Sequence, residues 1–171
     1  MCGRRHHSAL CPGYFNLPEK TLEAWQSLWF HTGDAGLLDE NGFLSFVDRI
    51  RDCIRHRGHN ISSFEVEQAL LSREGVVEAA AYAVASEITG GEDEVMVSVV
   101  LDGEITLTPR ELFEHAEREL PRFAQPRFIA IASDLPKTQT GKVQKAELRK
   151  RGLPAGVWDR KAEGSAPGGK A

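Results

Sequence analysis

The sequence predicts an α+β protein in which helices cover a small sheet. Apolar, β-branched runs bounded by glycine or acidic residues are typical of strands, and helix-capping residues stand before two runs of helical periodicity. From about residue 50 to 152 the predicted order is strand, helix, strand, strand, helix, strand, loop and helix. A separate β-hairpin is predicted before this module.

The first fifty residues carry fewer signals. Residues 1–12 follow no period and are expected to be irregular. A short amphipathic helix is predicted from apolar residues at helical spacing, namely Leu17, Leu22, Trp25 and Leu28. The stretch LLDENGFLSFV places apolar runs on both sides of an Asn-Gly pair, a strong hairpin signal. Because a lone hairpin is marginal in water, residues 13–50 are expected to complete a larger body outside this chain.

Residues 51–153 are expected to form the α+β module. Ser62 and Thr108 are predicted helix N-caps, because each is followed three residues later by a glutamate. The segment DCIRHRGHNIS predicts a strand, a glycine turn and a short return. Longer strands and a last, basic helix are predicted at residues 75–86, 93–103, 127–133 and 143–152. Residues 154–171 are rich in small residues, proline and lysine, so a disordered tail is expected.

Composition excludes several classes of protein. The formal net charge of −4 argues against a nucleic-acid partner, and no stretch reaches the roughly 18 apolar residues of a membrane span. The odd count of three cysteines suits a reducing compartment, so the expected location is cytoplasmic. No metal site is expected, because the N-terminal candidates Cys2, His6, His7 and Cys11 fit no zinc spacing.

The first stretch that carries candidate binding residues is WFHTGD, residues 29–34. The carboxylate of Asp34 on a tight Thr-Gly-Asp turn suits a ribose diol, as acidic residues do in other nucleotide sites. The alternative is an Asx turn that opens the hairpin. By itself the motif favours this alternative.

The second stretch is a row of arginines in residues 48–67. Four of them alternate, which in an extended strand would put them on one face: Arg49, Arg51, Arg55 and Arg57. A row of guanidinium groups suits phosphate, which the planar fork binds with two hydrogen bonds. A solvated edge strand guarded by charge explains the row equally well, and both interpretations stay open.

The third stretch is LPKTQTGKVQK, residues 135–145, which sets Lys142 on a Thr/Gly loop. It is not a P-loop, because the first glycine is absent and Val143 occupies the Ser/Thr place. A lysine on such a loop can still reach an anion as a point charge. An ordinary turn with a solvated charge is the commoner explanation.

Together the three stretches resemble one family in both order and spacing. The chain resembles the C-terminal end of adenylate-forming enzymes, which include acyl- and aryl-CoA synthetases, peptide-synthetase adenylation domains and luciferases. The resemblance covers about residues 13–150, from GYFNLPEKTLEAW to the lysine loop. The Phe-Val-Asp-Arg and Asn-Ile-Ser-Ser wording is most similar to CoA ligases of the carnitine/crotonobetaine type.

The resemblance implies an acid–thiol ligase of the kind used in fatty acid metabolism. A carboxylate and ATP, with Mg²⁺, would give an acyl-adenylate and pyrophosphate, and coenzyme A would then give the thioester and AMP. It implies a catalytic role for Lys142 at the carboxylate and α-phosphate oxygens. Asp34 would bind the ribose hydroxyls, Arg49 would contact the nucleotide, and Arg51 would lie at the hinge between a large domain and a small mobile lid.

After adenylation the lid would turn, and the loop with Arg57, Gly58 and His59 would line the tunnel for coenzyme A. Relatives often carry a second glycine where this chain has Arg57, and Arg57 is expected to reach a phosphate of coenzyme A instead. The division implied is an irregular segment at 1–12, the end of the N-terminal adenylation domain at 13–50, a C-terminal lid at 51–153 and a tail at 154–171.

The family's Thr/Ser/Gly-rich phosphate loop and acyl pocket have no counterpart in this sequence. The expected function is therefore that of a C-terminal fragment of an acyl-CoA ligase, inactive alone, whose partner is the N-terminal adenylation domain. The alternative is a stand-alone module that binds a nucleotide or coenzyme A, or regulates a separate N-terminal half. A nucleic-acid binder built on the arginine row is a third hypothesis, disfavoured by the acidic total.

Overall fold

The structure is a computed structural model that describes residues 2–4, 11–86 and 92–164. The chain divides into two compact units, Met1–Arg51 and Asp52–Ala171. Within its described residues, the first unit holds a three-stranded antiparallel sheet of order β1-β3-β2 and a β4–β5 hairpin. Its elements are β1 (Cys2–Arg4), α1 (Pro18–Ala24), β2 (Trp25–Gln26), β3 (Trp29–His31), β4 (Asp34–Leu38) and β5 (Leu44–Arg49).

The first unit differs from the sequence prediction at two places. Strand β1 lies within residues 1–12, which were expected to be irregular. Three residues are too few to show a period, and the partner strand β3 is distant in sequence. Helix α1 ends at Ala24 rather than near Leu28, because Trp25 is already extended and pairs in β2 with β3, and Ser27 and Leu28, with φ angles of 50° and 66°, turn the chain between the two strands.

The hairpin predicted from the Asn-Gly pair is confirmed as β4 and β5. Asp39 closes its loop, because its carboxylate accepts hydrogen bonds from the backbone N–H groups of Asn41 at 3.0 Å and Phe43 at 2.7 Å. The register then sets Asp34 opposite Arg49 at the open end of the hairpin. Hairpin register alone is therefore enough to make Asp34 and Arg49 neighbours.

The second unit confirms the predicted α+β class. Its four-stranded sheet has the order β11-β10-β9-β8, in which β9 and β10 are parallel and the other neighbours are antiparallel. A separate hairpin joins β6 to β7. The elements are β6 (Ile54–His56), β7 (His59–Ile61), α2 (Ser63–Leu71), β8 (Val76–Val84), β9 (Glu94–Leu101), α3 (Pro109–Glu119), β10 (Phe128–Ile131), α4 (Lys145–Arg151), β11 (Trp158–Asp159) and α5 (Arg160–Gly164).

Helices cover both faces of this sheet. On one face, α2 and α3 bury Val66, Leu70 and Leu112 against the strands. On the other face, Leu148 of α4 packs in the same cluster as Tyr82. The helix starts follow the sequence signals, since Ser62 caps α2 and Thr108 forms a complete capping box with Glu111 at α3. The loop 135–144, which connects β10 to α4, is therefore attached to a sheet that helices cover on both faces.

The prediction of a disordered tail from residue 154 is wrong for its described part. Strand β11 pairs with β10, and α5 follows directly. No signal in the sequence indicates this order, because a two-residue strand has no period and the charged partners of Asp159 and Lys161 lie more than thirty residues earlier. Residues 165–171, the polar linker residues 87–91, and His6 and His7 lie outside the described residues.

Candidate functional site

The loop that carries Lys142 is ordered by its own backbone. An antiparallel bridge joins Lys137 to Val143, and the N–H of Thr138 donates to the carbonyl of Lys142 at 2.8 Å. The hydroxyl of Thr138 in turn accepts a hydrogen bond from the N–H of Lys142 at 3.2 Å. Gly141 has a φ of +79°, a left-handed conformation that favours glycine. The TQTG sequence thus folds into a tight loop that projects Lys142.

Lys142 differs electrostatically from the lysines on either side of it. Lys137 donates to Glu78 at 2.7 Å, and this hydrogen bond is the main cause that raises the pKa of Lys137. Lys145 forms an ion pair with Glu67 at 2.7 Å. Lys142 is exposed and makes no side-chain ion pair with any residue that the structure describes. It is the lysine of this loop that is available to an external anion.

Asp34 and Arg49 form an ion pair at the open end of the β4–β5 hairpin. The guanidinium of Arg49 lies 2.8 Å from the carboxylate of Asp34 and donates to the carbonyl of Thr32 at 3.0 Å. The N–H of Asp34 donates to the hydroxyl of Thr32 at 3.2 Å, which fixes the Thr-Gly-Asp turn. The structure therefore brings together the two residues predicted to bind the nucleotide and ties both to one turn.

An open groove of about 800 Å³ lies beside this pair in the first unit. Arg49 and Arg51 both line it, together with Thr32 and Gly33 of the turn. The other side of the groove was not predicted from the sequence and is formed in part by Tyr14, Lys20, Glu23 and His31. Only the predicted amphipathic helix hinted at them, since Lys20 and Glu23 lie on α1. The groove presents the guanidinium groups of Arg49 and Arg51 and the ring of Tyr14, beside an ion pair between Lys20 and Glu23.

The four arginines do not form one row, which corrects the prediction of a shared face. Strand β5 ends at Arg49, Arg51 lies in a turn, and β6 begins only at Ile54. Arg55 is exposed between buried neighbours on β6, and Arg57 lies in the next turn. The period of two was real only within β6. Arg49 and Arg51 belong to the first unit, and Arg55 and Arg57 to the second.

Arg57 and Gly58 are the two central residues of the β6–β7 turn. Their φ angles are +49° and +75°, as a type I′ hairpin requires. The N–H of Gly58 donates to the carboxylate of Glu92 at 3.1 Å and 3.2 Å. His59 stacks on Phe123 with ring centroids 4.3 Å apart. The turn predicted to meet coenzyme A is thus held on both flanks, and the side chain of Arg57 is exposed to solvent.

Replacing Gly58 by alanine is expected to destabilise the chain by about 1–2 kcal/mol, the cost of a left-handed L-residue. No atom lies within 4 Å of the position of an added Cβ, so the cost is conformational rather than steric. Arg57→Gly removes a similar strain from the folded turn, but glycine also stabilises the unfolded chain by about 0.4–1 kcal/mol through its larger conformational entropy. The net change in the free energy of unfolding is therefore expected to be small. Urea unfolding of both variants checks this.

Gly103→Ala is the matched control, because an added Cβ there also meets open space but the φ is not left-handed. We expect it to change the free energy of unfolding by less than about 0.5 kcal/mol. Equal losses for Gly58→Ala and Gly103→Ala would contradict the conformational explanation of the turn.

Two further properties of the described residues bear on the site. None of the helices they form is long and apolar enough to cross a bilayer. Over the same residues, no group of three or more His, Cys, Asp or Glu side chains is arranged to hold a metal ion.

Comparison with known proteins places these features in context. Residues 65–142 match the family described as AMP-binding enzyme C-terminal domain. A peroxisomal trans-cinnamate:CoA ligase from Petunia hybrida is 35% identical over 152 residues, which cover 89% of this chain and 26% of that protein. The chain spans about a quarter of the length of the curated relatives it matches.

Solved structures give the same result. ATP-bound MatB from Rhodopseudomonas palustris superposes with a TM-score of 0.71 and 30% identity, covering 82% of this chain and 28% of that one. The o-succinylbenzoate CoA synthetase MenE from Bacillus subtilis, in complex with its acyl-adenylate intermediate, gives a TM-score of 0.72 and 30% identity over 81% of this chain and 28% of that one.

Proposed function

We propose that this chain, which belongs through residues 65–142 to the AMP-binding enzyme C-terminal domain family, serves as the lid of an ATP-dependent acyl-CoA ligase. The predicted resemblance to adenylate-forming CoA ligases is confirmed by these matches, and the narrower similarity to the carnitine/crotonobetaine type stays a prediction. The residues before Arg51 would be the last segment of the large adenylation domain, and those after it the mobile lid.

The observation that carries the proposal is the ammonium of Lys142 on an ordered loop, next to lysines that already have carboxylate partners. In the first half-reaction a carboxylate oxygen attacks the α-phosphorus of ATP, and pyrophosphate leaves. Two anions must approach each other, and negative charge develops on the phosphoryl oxygens. A cation held at that point offsets the repulsion and stabilises the transition state.

The nucleotide would lie beside Asp34 and Arg49. The carboxylate of Asp34 suits the ribose diol, because a carboxylate accepts two hydrogen bonds. Arg49 already holds that carboxylate at 2.8 Å and so fixes its direction. Arg51 lies at the boundary in sequence between the two compact units, where a hinge would have to lie.

In the second half-reaction the thiol of coenzyme A attacks the acyl carbon, loses its proton, and AMP leaves. The exposed turn of Arg57, Gly58 and His59 would face coenzyme A, with the guanidinium of Arg57 available to a phosphate. The bare backbone of Gly58 would allow close approach.

Other parts of the reaction lie outside these residues. The named relatives act on different acids, such as trans-cinnamate and long-chain fatty acids, so the acyl group is not assigned to this chain. No Mg²⁺ ligand is assigned either, because the described residues hold no suitable cluster. The proposal includes the N-terminal adenylation domain as partner and a cytoplasmic location.

The proposal is tested by joining the full chain to the N-terminal remainder of the petunia trans-cinnamate:CoA ligase. With ATP and trans-cinnamate, the chimera is expected to release pyrophosphate, and with coenzyme A to form the thioester. The chain alone is expected to release none. A chimera that folds and binds ATP but stays inactive would overturn the lid assignment. Pyrophosphate release by the chain alone would overturn its dependence on an N-terminal partner.

A further inference from the structure

The C-terminal segment that was predicted to be disordered is attached to the core by ion pairs. We call residues 158–164, which form β11 and α5, the strap. The N–H of Arg160 donates to the carbonyl of Arg127 at 3.0 Å, which continues the β10–β11 pairing. Trp158 packs against Phe113 with ring centroids 5.4 Å apart. The strap therefore covers the outer edge of the sheet.

Beneath the strap lies a buried ionic network. Arg127 has a side chain only 7% exposed and makes two hydrogen bonds to Asp159, at 3.0 Å and 3.1 Å. Its remaining fork nitrogen donates to Glu94 at 3.0 Å. The ammonium of Lys161 lies 2.6 Å from the same oxygen of Glu94. The strap thus supplies one anion and one cation to a buried arginine–glutamate pair.

The network stays ionised at neutral pH. Burial alone would raise the pKa of Glu94, but hydrogen bonds and charges from Lys161 and Arg127 outweigh burial and lower it. The pKa of Asp159 is lowered in the same way, against burial, by Arg127 and Lys161. Both carboxyl groups have a lower pKa in the folded chain than in the unfolded chain. The network therefore stabilises the fold fully at pH values above the ordinary pKa of a carboxyl group, and this stabilisation is lost as the pH falls through the lowered pKa values.

The network lies beside the turn of Arg57 and Gly58, because Glu94 directly follows two residues that bond to it. The second carboxylate oxygen of Glu94 lies 3.7 Å from Nδ1 of His56, the residue before the turn. The same Nδ1 is 2.7 Å from the carbonyl oxygen of Asp93. Glu92, one residue earlier, accepts the N–H of Gly58. Glu92 and Asp93, which directly precede β9, therefore hold the turn at two points, and the strap holds Glu94, the first residue of β9.

We propose that Asp159 and Lys161 of the strap are positioning residues for the Arg57–Gly58 turn, acting through Arg127 and Glu94. This inference rests on the proposed function, in which that turn faces coenzyme A. Loss of the strap contacts would let the first residues of β9 shift, together with Asp93 and Glu92, whose hydrogen bonds hold His56 and Gly58. The half-reaction that uses coenzyme A would then suffer, while adenylation, which depends on the Lys142 loop, would not.

The test uses the chimera with Lys161→Met, which keeps the apolar stem but removes the ammonium. From preformed cinnamoyl-adenylate, the KM for coenzyme A is expected to rise about fivefold, with adenylation changed by less than about twofold. Lys161→Arg is expected to restore the wild-type KM, because it returns a cation to Glu94. Lys150→Met, at an exposed lysine of α4, is the matched control and is expected to change neither.

Equal losses in both half-reactions, together with a lower melting temperature, would mean that the strap only stabilises the fold and would overturn the proposal. An unchanged KM in Lys161→Met would overturn it as well.

A second measurement on the chain alone separates this inference from the proposed function. Amide exchange at Gly58 is expected to quicken in Lys161→Met. Exchange at Ala81, whose N–H donates to Glu67 at 2.9 Å, is expected to stay as it is. If the chimera is inactive, the proposed function fails, and a faster Gly58 amide still supports the link from strap to turn. Unchanged exchange at Gly58 overturns that link.

Discussion

Lys142→Ala in the chimera is expected to slow adenylation by about 10²–10³-fold, the usual loss when one charge-stabilising group is removed from a transition state. Formation of the thioester from preformed acyl-adenylate is expected to remain near wild type. The reason is that Lys142 would act only while the carboxylate approaches the α-phosphate. Pyrophosphate release and thioester formation, measured separately, check the two expectations.

Two controls isolate the position of the charge from its mere presence. Lys150→Ala removes another exposed lysine of the same unit and is expected to leave both rates unchanged. Lys142→Arg keeps a cation on the loop but replaces a compact charge by a planar fork, so partial recovery is expected. Equal loss of both half-reactions in Lys142→Ala, without unfolding, would remove Lys142 from the role assigned to it.

The part of the fold that was predictable rests on local chemistry. Thr108 and Glu111 cap α3 because a hydroxyl and a carboxylate three residues apart satisfy the same free N–H groups wherever they occur. The Asn-Gly pair predicted the β4–β5 hairpin because turn residues between two apolar runs favour a tight reversal, and in the structure Gly42 supplies the positive φ of 84° that the loop needs. Signals of this kind lie within a few residues of one another, and the sequence shows them directly.

The part that was missed depends on distant partners. The strap is short, and its partners lie more than thirty residues earlier: Asp159 bonds to Arg127, and Lys161 bonds to Glu94. The supposed row of arginines failed for the opposite reason. Alternation is an argument about one continuous strand, and the turn after Arg49 breaks that strand. Neither fact has a signature within a short window.

One feature of the candidate site was predictable from local sequence, and another was not. The pairing of Asp34 with Arg49 follows from hairpin register, once the turn is placed. The contrast between Lys142 and its paired neighbours does not follow from sequence, because the partners of Lys137 and Lys145 lie on β8 and α2. Motif resemblance identified Lys142, and the structure supplies a physical reason why this lysine, rather than the others, is available.

Arg51→Pro in the chimera is expected to impair one half-reaction about 10²-fold while leaving the other nearly intact. A hinge residue must change its backbone angles when a lid turns, and proline fixes φ near −65°. The two compact units meet in sequence at Arg51 and Asp52, which is where such a change would be absorbed. Single-turnover rates of adenylation and of thioester formation measure the two steps separately.

Arg51→Ala is the necessary control, because the side chain of Arg51 also lines the groove beside Arg49. Alanine removes that side chain but leaves the backbone free, so any effect it has belongs to ligand binding rather than to the hinge. If the hinge lies at Arg51, proline and alanine must differ, and they must differ in only one half-reaction. Matching profiles for the two variants would place the hinge elsewhere and leave Arg51 as a wall of the groove.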